Sequence, residues 1–175
     1  MLEYGKMYRA LHRSDKVFRG HSIKAALPTI CSLVRMYKPR SLLDYGCGKG
    51  RQYTEDKVHE QWGGLMPTLY DVGVDEFSAK PAGPFDGLIC TDVLEHIAEE
   101  DLHDVLADIF SYLPKRDDGG TSFVALYIAC RPAKKKRLPD GRNVHLTVKP
   151  PSWWTATIAQ HSQQHVAMAV GFDEG

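Results

Sequence analysis

The chain has 175 residues, with 22 Lys and Arg, 22 Asp and Glu, and 43% hydrophobic residues, a composition that excludes an intrinsically disordered chain. The formal net charge of zero gives no global electrostatic reason to expect duplex DNA or an anionic membrane as the main partner. A chain of this length can bury roughly 70% of the surface that its unfolded form exposes, so we expect one domain over residues 1–175.

The cysteines and the N-terminal residues favour the cytoplasm as the cellular compartment. The four cysteines are spaced singly, without a C-x-x-C pair, and most lie in apolar runs, which favours reduced thiols. The first residues lack the basic flank and apolar stretch of a signal peptide, and no apolar run approaches the roughly 18 residues that span a bilayer. We therefore expect a cytoplasmic protein without membrane insertion.

Residues 1–40 are predicted to form an N-terminal helical segment and a candidate lid. Between Ser22 and Tyr37 the apolar residues recur at steps of three and four, which predicts an amphipathic helix that ends before Pro39. Pro28 lies inside this pattern, so the helix either bends there or begins there with proline in its first turn.

Five short apolar runs predict strands over residues 41–45, 68–72, 85–91, 121–129 and 164–170. Helical patterns separate most of them, most clearly over residues 99–113. A further helix is expected over residues 152–161, with Ser152 as its N-cap. This alternation predicts an α/β fold, Rossmann-like and doubly wound around a mostly parallel sheet. Ligands of such folds bind at the carboxyl ends of the strands.

Three alternating glycines, Gly46, Gly48 and Gly50, follow the first predicted strand. Glycines at such a turn let the backbone approach a ligand closely, and the following helix start offers free N–H groups. Asp71 ends the second predicted strand, where a carboxylate can accept both hydroxyls of a ribose. The pattern predicts a nucleoside ligand, and the G-x-G-x-G spacing disfavours the dinucleotide of a nicotinamide-dependent oxidoreductase.

The segments Asp44-Tyr-Gly-Cys-Gly-Lys-Gly, Tyr70-Asp71 and Phe85-Asp-Gly-Leu-Ile-Cys-Thr-Asp-Val-Leu-Glu-His-Ile resemble, in order and spacing, three motifs of class I S-adenosylmethionine-dependent methyltransferases. The resemblance implies S-adenosylmethionine as cofactor. The cofactor-binding residues that it implies are Asp44, Gly46, Cys47, Gly48, Gly50, Asp71, Cys90, Thr91, Asp92 and Val93. Residues 72–84 are too few for the third strand and helix of that family, and only one strand candidate follows the last helix, so we expect a reduced member.

Asp92, Glu95 and His96 stand at positions i, i+3 and i+4, which one helical turn would bring to a single face. His145 lies in the loop after the next long strand, and neighbouring parallel strands bring their carboxyl ends together. These four residues are candidate ligands of a divalent metal, Mg²⁺ or Mn²⁺. The pattern is similar to that of metal-dependent O-methyltransferases, in which the first position is usually Glu.

Catalysis without a metal is the alternative for this cluster. Asp92 would then cap the turn, Glu95 would be solvated, and His96 would pack at the sheet edge or act as a general base. In either case the candidate catalytic residues are His96, His145 and Asp92. The remaining histidines, among them His12 and His21, have no partner at an informative spacing and are interpreted as surface or structural residues.

A basic run from Lys134 to Arg137 precedes the turn signal Asp140-Gly141, which predicts a basic hairpin near the rim of the site. It could hold a phosphate or an acidic substrate, or be only a solvated loop. The expected function is methylation of a small-molecule hydroxyl, with or without a metal. The alternatives are a noncatalytic S-adenosylmethionine-binding or scaffold module and a 2′-O-methyltransferase of RNA ends, and a nucleic acid is the less favoured partner. The sequence does not define an oligomeric state.

Overall fold

The computed structural model describes residues 3–13, 18 and 20–175. Its helices are α1 (Glu3–His12), α2 (Leu27–Tyr37), α3 (Arg51–Thr54), α4 (Leu102–Ser111) and α5 (Pro151–Ala159). Its strands are β1 (Leu42–Tyr45), β2 (Thr68–Tyr70), β3 (Gly87–Thr91), β4 (Ser122–Ala129) and β5 (Val166–Asp173). Short 3₁₀ segments cover Ser22–Ala25, Val58–Trp62, Asp75–Phe77, Leu94–His96 and Glu99–Asp101.

The five strands form one sheet in the order β2-β1-β3-β4-β5, and every neighbouring pair is parallel. The predicted Rossmann-like α/β class is therefore confirmed. From β1 the chain first adds β2 on one side and then β3 on the other, so the winding direction reverses between β1 and β3. Folds of this type bind ligands in the crevice outside the carboxyl ends of the strands at this point.

Each face of the sheet carries a hydrophobic core. Leu88, Leu106 and Trp154 belong to the core between the sheet and helices α4 and α5. Ile30 and Phe123 belong to the core on the other face, which α2 covers. Successive residues of a strand point to opposite faces, so β4 supplies both cores and is buried along nearly its whole length.

The ends of the predicted helices differ from the observed ones. Pro28 lies in the first turn of α2, and residues Ser22–Ala25 form a separate 3₁₀ segment. The helix therefore begins with the proline in its first turn and does not bend there. Helix α5 begins at Pro151 with Pro150 as the N-cap and no side-chain capping bond, so the prediction of Ser152 as the N-cap is wrong. A proline at the first turn already has the backbone angle that a helix start needs.

The reduction of the fold after β2 is confirmed. We expected residues 72–84 to lack the third strand and helix of the family. The structure has only a 3₁₀ turn there, Asp75–Phe77. Strand β5 continues to Asp173, beyond the predicted end at residue 170, and pairs in parallel with β4. In the ranges that the structure describes, no antiparallel strand joins the sheet.

Helix α1 packs against the long loop between β4 and α5, and we call α1, Phe18 and residues 131–147 the cap. A small third core joins the two parts of the cap through Leu138, Val144, Met7 and Leu11. The predicted hairpin is confirmed within this loop, since Arg137 and Asn143 form an antiparallel bridge. No helix of the described ranges is long and apolar enough to cross a membrane.

Candidate active site

A cavity of about 580 Å³ lies at the carboxyl ends of β1, β2 and β3, beneath the cap. This volume is in the range of small-molecule binding sites. Its walls on the sheet side include Gly46, Gly48, Asp71, Asp92, Val93 and His96. Its walls on the cap side are Tyr8, His12, Phe18 and Lys136. The crevice expected at the switch point of the sheet is thus open.

The glycine turn brings bare backbone to this cavity. Gly46, Gly48 and Gly50 all have positive φ angles, of 82°, 58° and 63°, which residues with a Cβ rarely adopt. A Cβ on Gly46 would lie 2.3 Å from a methyl carbon of Val93. The N–H of Gly46 donates to the carbonyl of Tyr70 over 2.7 Å, which ties the turn to β2.

The Asp71 carboxylate lines the cavity, and its position agrees with the role that the sequence predicts. One oxygen accepts a hydrogen bond from the Gly48 N–H and the other from the Gly73 N–H, each over 2.8 Å. The Nε2 atom of His12 lies 3.8 Å from the carboxylate. Each carboxylate oxygen can accept a second hydrogen bond, so the side chain is fixed in place and still able to bind a hydroxyl.

Five of the predicted cofactor residues do not line the cavity: Asp44, Cys47, Gly50, Cys90 and Thr91. Asp44 is 1% exposed, and its Oδ2 atom accepts hydrogen bonds of 2.7 Å from Gln52 Nε2 and from the Tyr53 hydroxyl. Burial raises the pKa of Asp44 to about 7. In this structure Asp44 supports the start of α3 from behind the glycine turn.

The side chains of Asp92, Glu95, His96 and His145 converge on one point, and of these four residues Asp92 and His96 line the cavity. Each offers one ligand atom, and these atoms all lie within 4.8 Å of one another. Asp92 has a φ angle of 60° and precedes the 3₁₀ turn that carries Glu95 and His96. The expectation that one helical turn presents all three is wrong, because the left-handed backbone at Asp92 turns the chain sharply after β3.

Both imidazoles of the cluster are held in the same way. The Nδ1 atom of His96 lies 2.8 Å from the Val144 carbonyl oxygen, and Nδ1 of His145 lies 2.6 Å from that of Arg131. A carbonyl oxygen only accepts, so each Nδ1 carries a proton, and in the neutral form of each ring Nε2 is the atom with the free lone pair. Metal-ligating histidines are commonly oriented by such a hydrogen bond.

Two buried polar atoms of the cluster have no hydrogen-bond partner among the described residues: Glu95 Oε2 and His96 Nε2. The other Glu95 oxygen accepts from the Ala129 N–H over 2.8 Å. Burial, together with the nearby charge of Asp92, raises the pKa of Glu95 well above its ordinary value. Buried polar atoms are normally satisfied, and two carboxylates with two imidazoles are a donor set that suits a divalent cation.

His12 and His21 are two of the cavity residues that sequence reasoning missed. His12 stands one helical turn after Tyr8, so both reach the cavity from one face of α1, and the Tyr8 hydroxyl donates to the Val144 carbonyl. His21 is held by a 2.7 Å contact between its Nδ1 and a carboxylate oxygen of Asp56. The spacing of Tyr8 and His12 predicts only that they share one face of a helix, and the contacts of both His12 and His21 with the cavity depend on tertiary structure.

A glycine turn after β1, an acid after β2 and an open crevice at the switch point define a class I methyltransferase site. The comparisons with known proteins agree, since the family model of a methyltransferase domain matches residues 32–163. The chain belongs to this family and is an S-adenosylmethionine-dependent methyltransferase. Neither the curated proteins nor the solved structures contain a significant match to the chain.

Proposed function

We propose that this methyltransferase acts on a hydroxyl oxygen of a small molecule, with Mg²⁺ or Mn²⁺ bound by Asp92, Glu95, His96 and His145. The observation that carries the proposal is the pair of buried atoms, Glu95 Oε2 and His96 Nε2, that face the cluster without a partner in the described part of the chain. A cation would satisfy both atoms at once. It would also relieve the proximity of the two carboxylates.

The cofactor would lie between the glycine turn and the cluster. Asp71 would accept the ribose hydroxyls, and the backbone at Gly46 and Gly48 would border the amino-acid end of S-adenosylmethionine. Val93, which packs over Gly46, would flank the sulfonium together with the backbone that precedes it. Asp92 and His96 line the same cavity, so an acceptor bound at the cluster would lie next to the methyl donor.

The residues of the cluster favour a metal over a single general base. Burial lowers the pKa of His96 to about 4, and an efficient base has a pKa near the operating pH. The neutral imidazole with its proton fixed on Nδ1 is instead the form that binds a metal. Bound there, a divalent cation supplies positive charge that favours ionisation of a hydroxyl at neutral pH.

Positioning would supply much of the remaining rate enhancement. Holding two reactants in line contributes roughly 7 to 11 kcal/mol, and Tyr8, His12 and Phe18 of the cap line the cavity beside the cluster. These rings would exclude water from the acceptor and limit its motion. His145 belongs to the same cap, so a cluster of four ligands would require the cap in the position seen here.

Calorimetry tests the proposal in two steps. The protein should bind S-adenosylhomocysteine, and it should bind one Mn²⁺ with an affinity that Glu95→Gln and His145→Ala reduce by at least an order of magnitude. Glu60→Gln changes an exposed carboxylate outside the cavity and serves as the control. Unaltered Mn²⁺ affinity in both cluster variants, or methyl transfer that persists fully in chelator, would contradict the metal site while leaving the methyltransferase assignment intact.

A further inference from the structure

Lys136 is the feature of the cavity that the proposed function leaves unexplained. It belongs to the basic hairpin and lines the cavity from the cap side. Its ammonium nitrogen lies 4.7 Å from the centre of the Phe18 ring. No carboxylate among the described residues forms an ion pair with it, although Asp71 and Asp92 line the same cavity.

The other cations of the hairpin region either bind other groups of the protein or do not line the cavity. Arg131 pairs with Asp173 at 2.6 Å, and Arg142 pairs with Asp140 at 2.7 Å. Arg137 donates to two backbone carbonyls of the hairpin. Lys134 and Lys135 are exposed and do not line the cavity. Within the described part of this hairpin, the charge that faces the site is therefore that of Lys136.

The hairpin holds this charge at a defined place relative to the cluster. Leu138 is buried in the third core, and its N–H donates to the Arg142 carbonyl over 2.8 Å. Asn143 accepts from the N–H groups of both Ala133 and His145, over 3.1 and 2.9 Å. The Asn143 side chain thus connects the base of the hairpin at Ala133 to the cluster residue His145.

We propose that the acceptor is a small phosphorylated polyol, whose phosphate binds Lys136 while its hydroxyls lie at the Asp92–His145 cluster. The inference rests on the proposed function and names the substrate class of the same site. A lysine ammonium is a point charge with three donors, which suits a phosphate group without requiring a fixed orientation. The Phe18 ring contacts the cation through its face and supplies no anionic partner, so the ammonium can still donate to a phosphate.

The site favours a small molecule over a nucleic acid chain. The cavity of about 580 Å³ lies beneath the cap, and one lysine of the hairpin lines it. Binding along a nucleic acid backbone would instead use several cations with stacking aromatics between them. The formal net charge of zero adds no general attraction for a polyanion.

The test measures binding of inorganic phosphate, ribose 5-phosphate and ribose to the protein saturated with S-adenosylhomocysteine and Mn²⁺. We expect ribose 5-phosphate to bind more tightly than ribose, and Lys136→Gln to weaken both phosphate ligands by about 10- to 100-fold. Lys135→Gln removes a neighbouring exposed charge that does not reach the cavity, and it should leave both affinities unchanged. Lys136→Arg should restore part of the affinity.

Several outcomes would overturn the inference. These are no detectable phosphate binding, equal losses in Lys135→Gln and Lys136→Gln, or tighter binding of a short oligoribonucleotide than of ribose 5-phosphate with the same dependence on Lys136. A Lys136→Gln protein that loses affinity for S-adenosylhomocysteine itself would assign the lysine to the cofactor instead. If the wild-type protein binds S-adenosylhomocysteine and Mn²⁺ but not the phosphate ligands, the inferred substrate class is wrong and the proposed function is not affected. If it binds neither S-adenosylhomocysteine nor Mn²⁺, the proposed function itself is contradicted.

Discussion

The imidazole of His96 meets that of His145 edge to face, with ring centroids 4.9 Å apart and planes at 89°. His96 follows β3, whereas His145 lies in the cap. Both rings are nevertheless oriented by carbonyls of the same loop, those of Val144 and Arg131. The conformation of the cap loop therefore determines whether the two Nε2 atoms face a common point.

Replacing Asn143 by alanine should weaken metal binding from outside the cluster. The side chain accepts from the His145 N–H and also donates to the Ala133 carbonyl over 3.0 Å, so its loss frees the loop that carries His145. We expect Mn²⁺ affinity to fall by about 10- to 100-fold, as for other groups that orient ligands, with unchanged binding of S-adenosylhomocysteine. Titration calorimetry measures both. Arg142→Ala, an exposed neighbour, is the control, and an equal effect there would contradict a specific role for Asn143.

Asp71→Ala should remove most of the affinity for S-adenosylhomocysteine. The side chain would no longer accept hydroxyl hydrogen bonds, and the Gly48 and Gly73 N–H groups would lose their acceptor. Hydrogen bonds to a charged group contribute about 1.5–3 kcal/mol, so a loss of at least tenfold is expected in calorimetry. Asp75→Ala changes an exposed carboxylate nearby, with a side chain 89% exposed, and should bind normally. Wild-type affinity in Asp71→Ala would refute its role in cofactor binding.

Gly46→Ala and Gly64→Ala form a matched pair. Both glycines have positive φ angles, 82° and 86°, so a side chain strains the backbone at either position. The new Cβ meets Val93 at 2.3 Å in the first case and no atom within 4 Å in the second. Urea denaturation should show Gly46→Ala to be less stable than Gly64→Ala by about 1–3 kcal/mol, and S-adenosylhomocysteine binding should fail only in Gly46→Ala. Equal effects of the two changes would exclude the contact with Val93 as the cause.

The parts of the site that follow strands were predictable, because the carboxyl ends of parallel strands must meet. The glycine turn, Asp71 and the cluster that includes His96 and His145 all follow from strand order and spacing. The place of His12 was not predictable in the same way. It depends on how α1 docks through Met7 and Leu11 onto a loop far away in sequence, and no local pattern encodes that contact.

Asp44 shows a different limit of pattern reasoning. An acid directly before a glycine turn is well placed to reach a ligand, and the resemblance to methyltransferases assigns it to the cofactor. In the folded chain its Oδ2 atom is taken by Gln52 and Tyr53 from α3, and the side chain is buried behind the turn. The side-chain partners of a buried carboxylate are set by packing, which spacing along the chain does not specify.

The buried carboxyl of Asp44 should make stability fall as the pH rises. Its pKa is raised from 3.8 to about 7 in the folded state, chiefly by burial, so the folded protein holds this proton more tightly than the unfolded chain does. The resulting stabilisation is complete below about pH 4 and is lost as the pH rises through about 7, with a slope of at most about 1.4 kcal/mol per pH unit.

Asp44→Asn should remove this slope, because the amide does not ionise and its oxygen can still accept from Gln52 and Tyr53. Urea denaturation of both proteins across the same pH range measures the difference between their free energies of unfolding. That difference should shift in favour of the variant as the pH rises toward neutrality. Asp104→Asn, which changes an exposed carboxylate of α4, should produce no comparable shift. A difference between wild type and Asp44→Asn that is constant across the range would mean that Asp44 titrates alike in the folded and unfolded chains, and therefore that water reaches its carboxyl group behind the glycine turn.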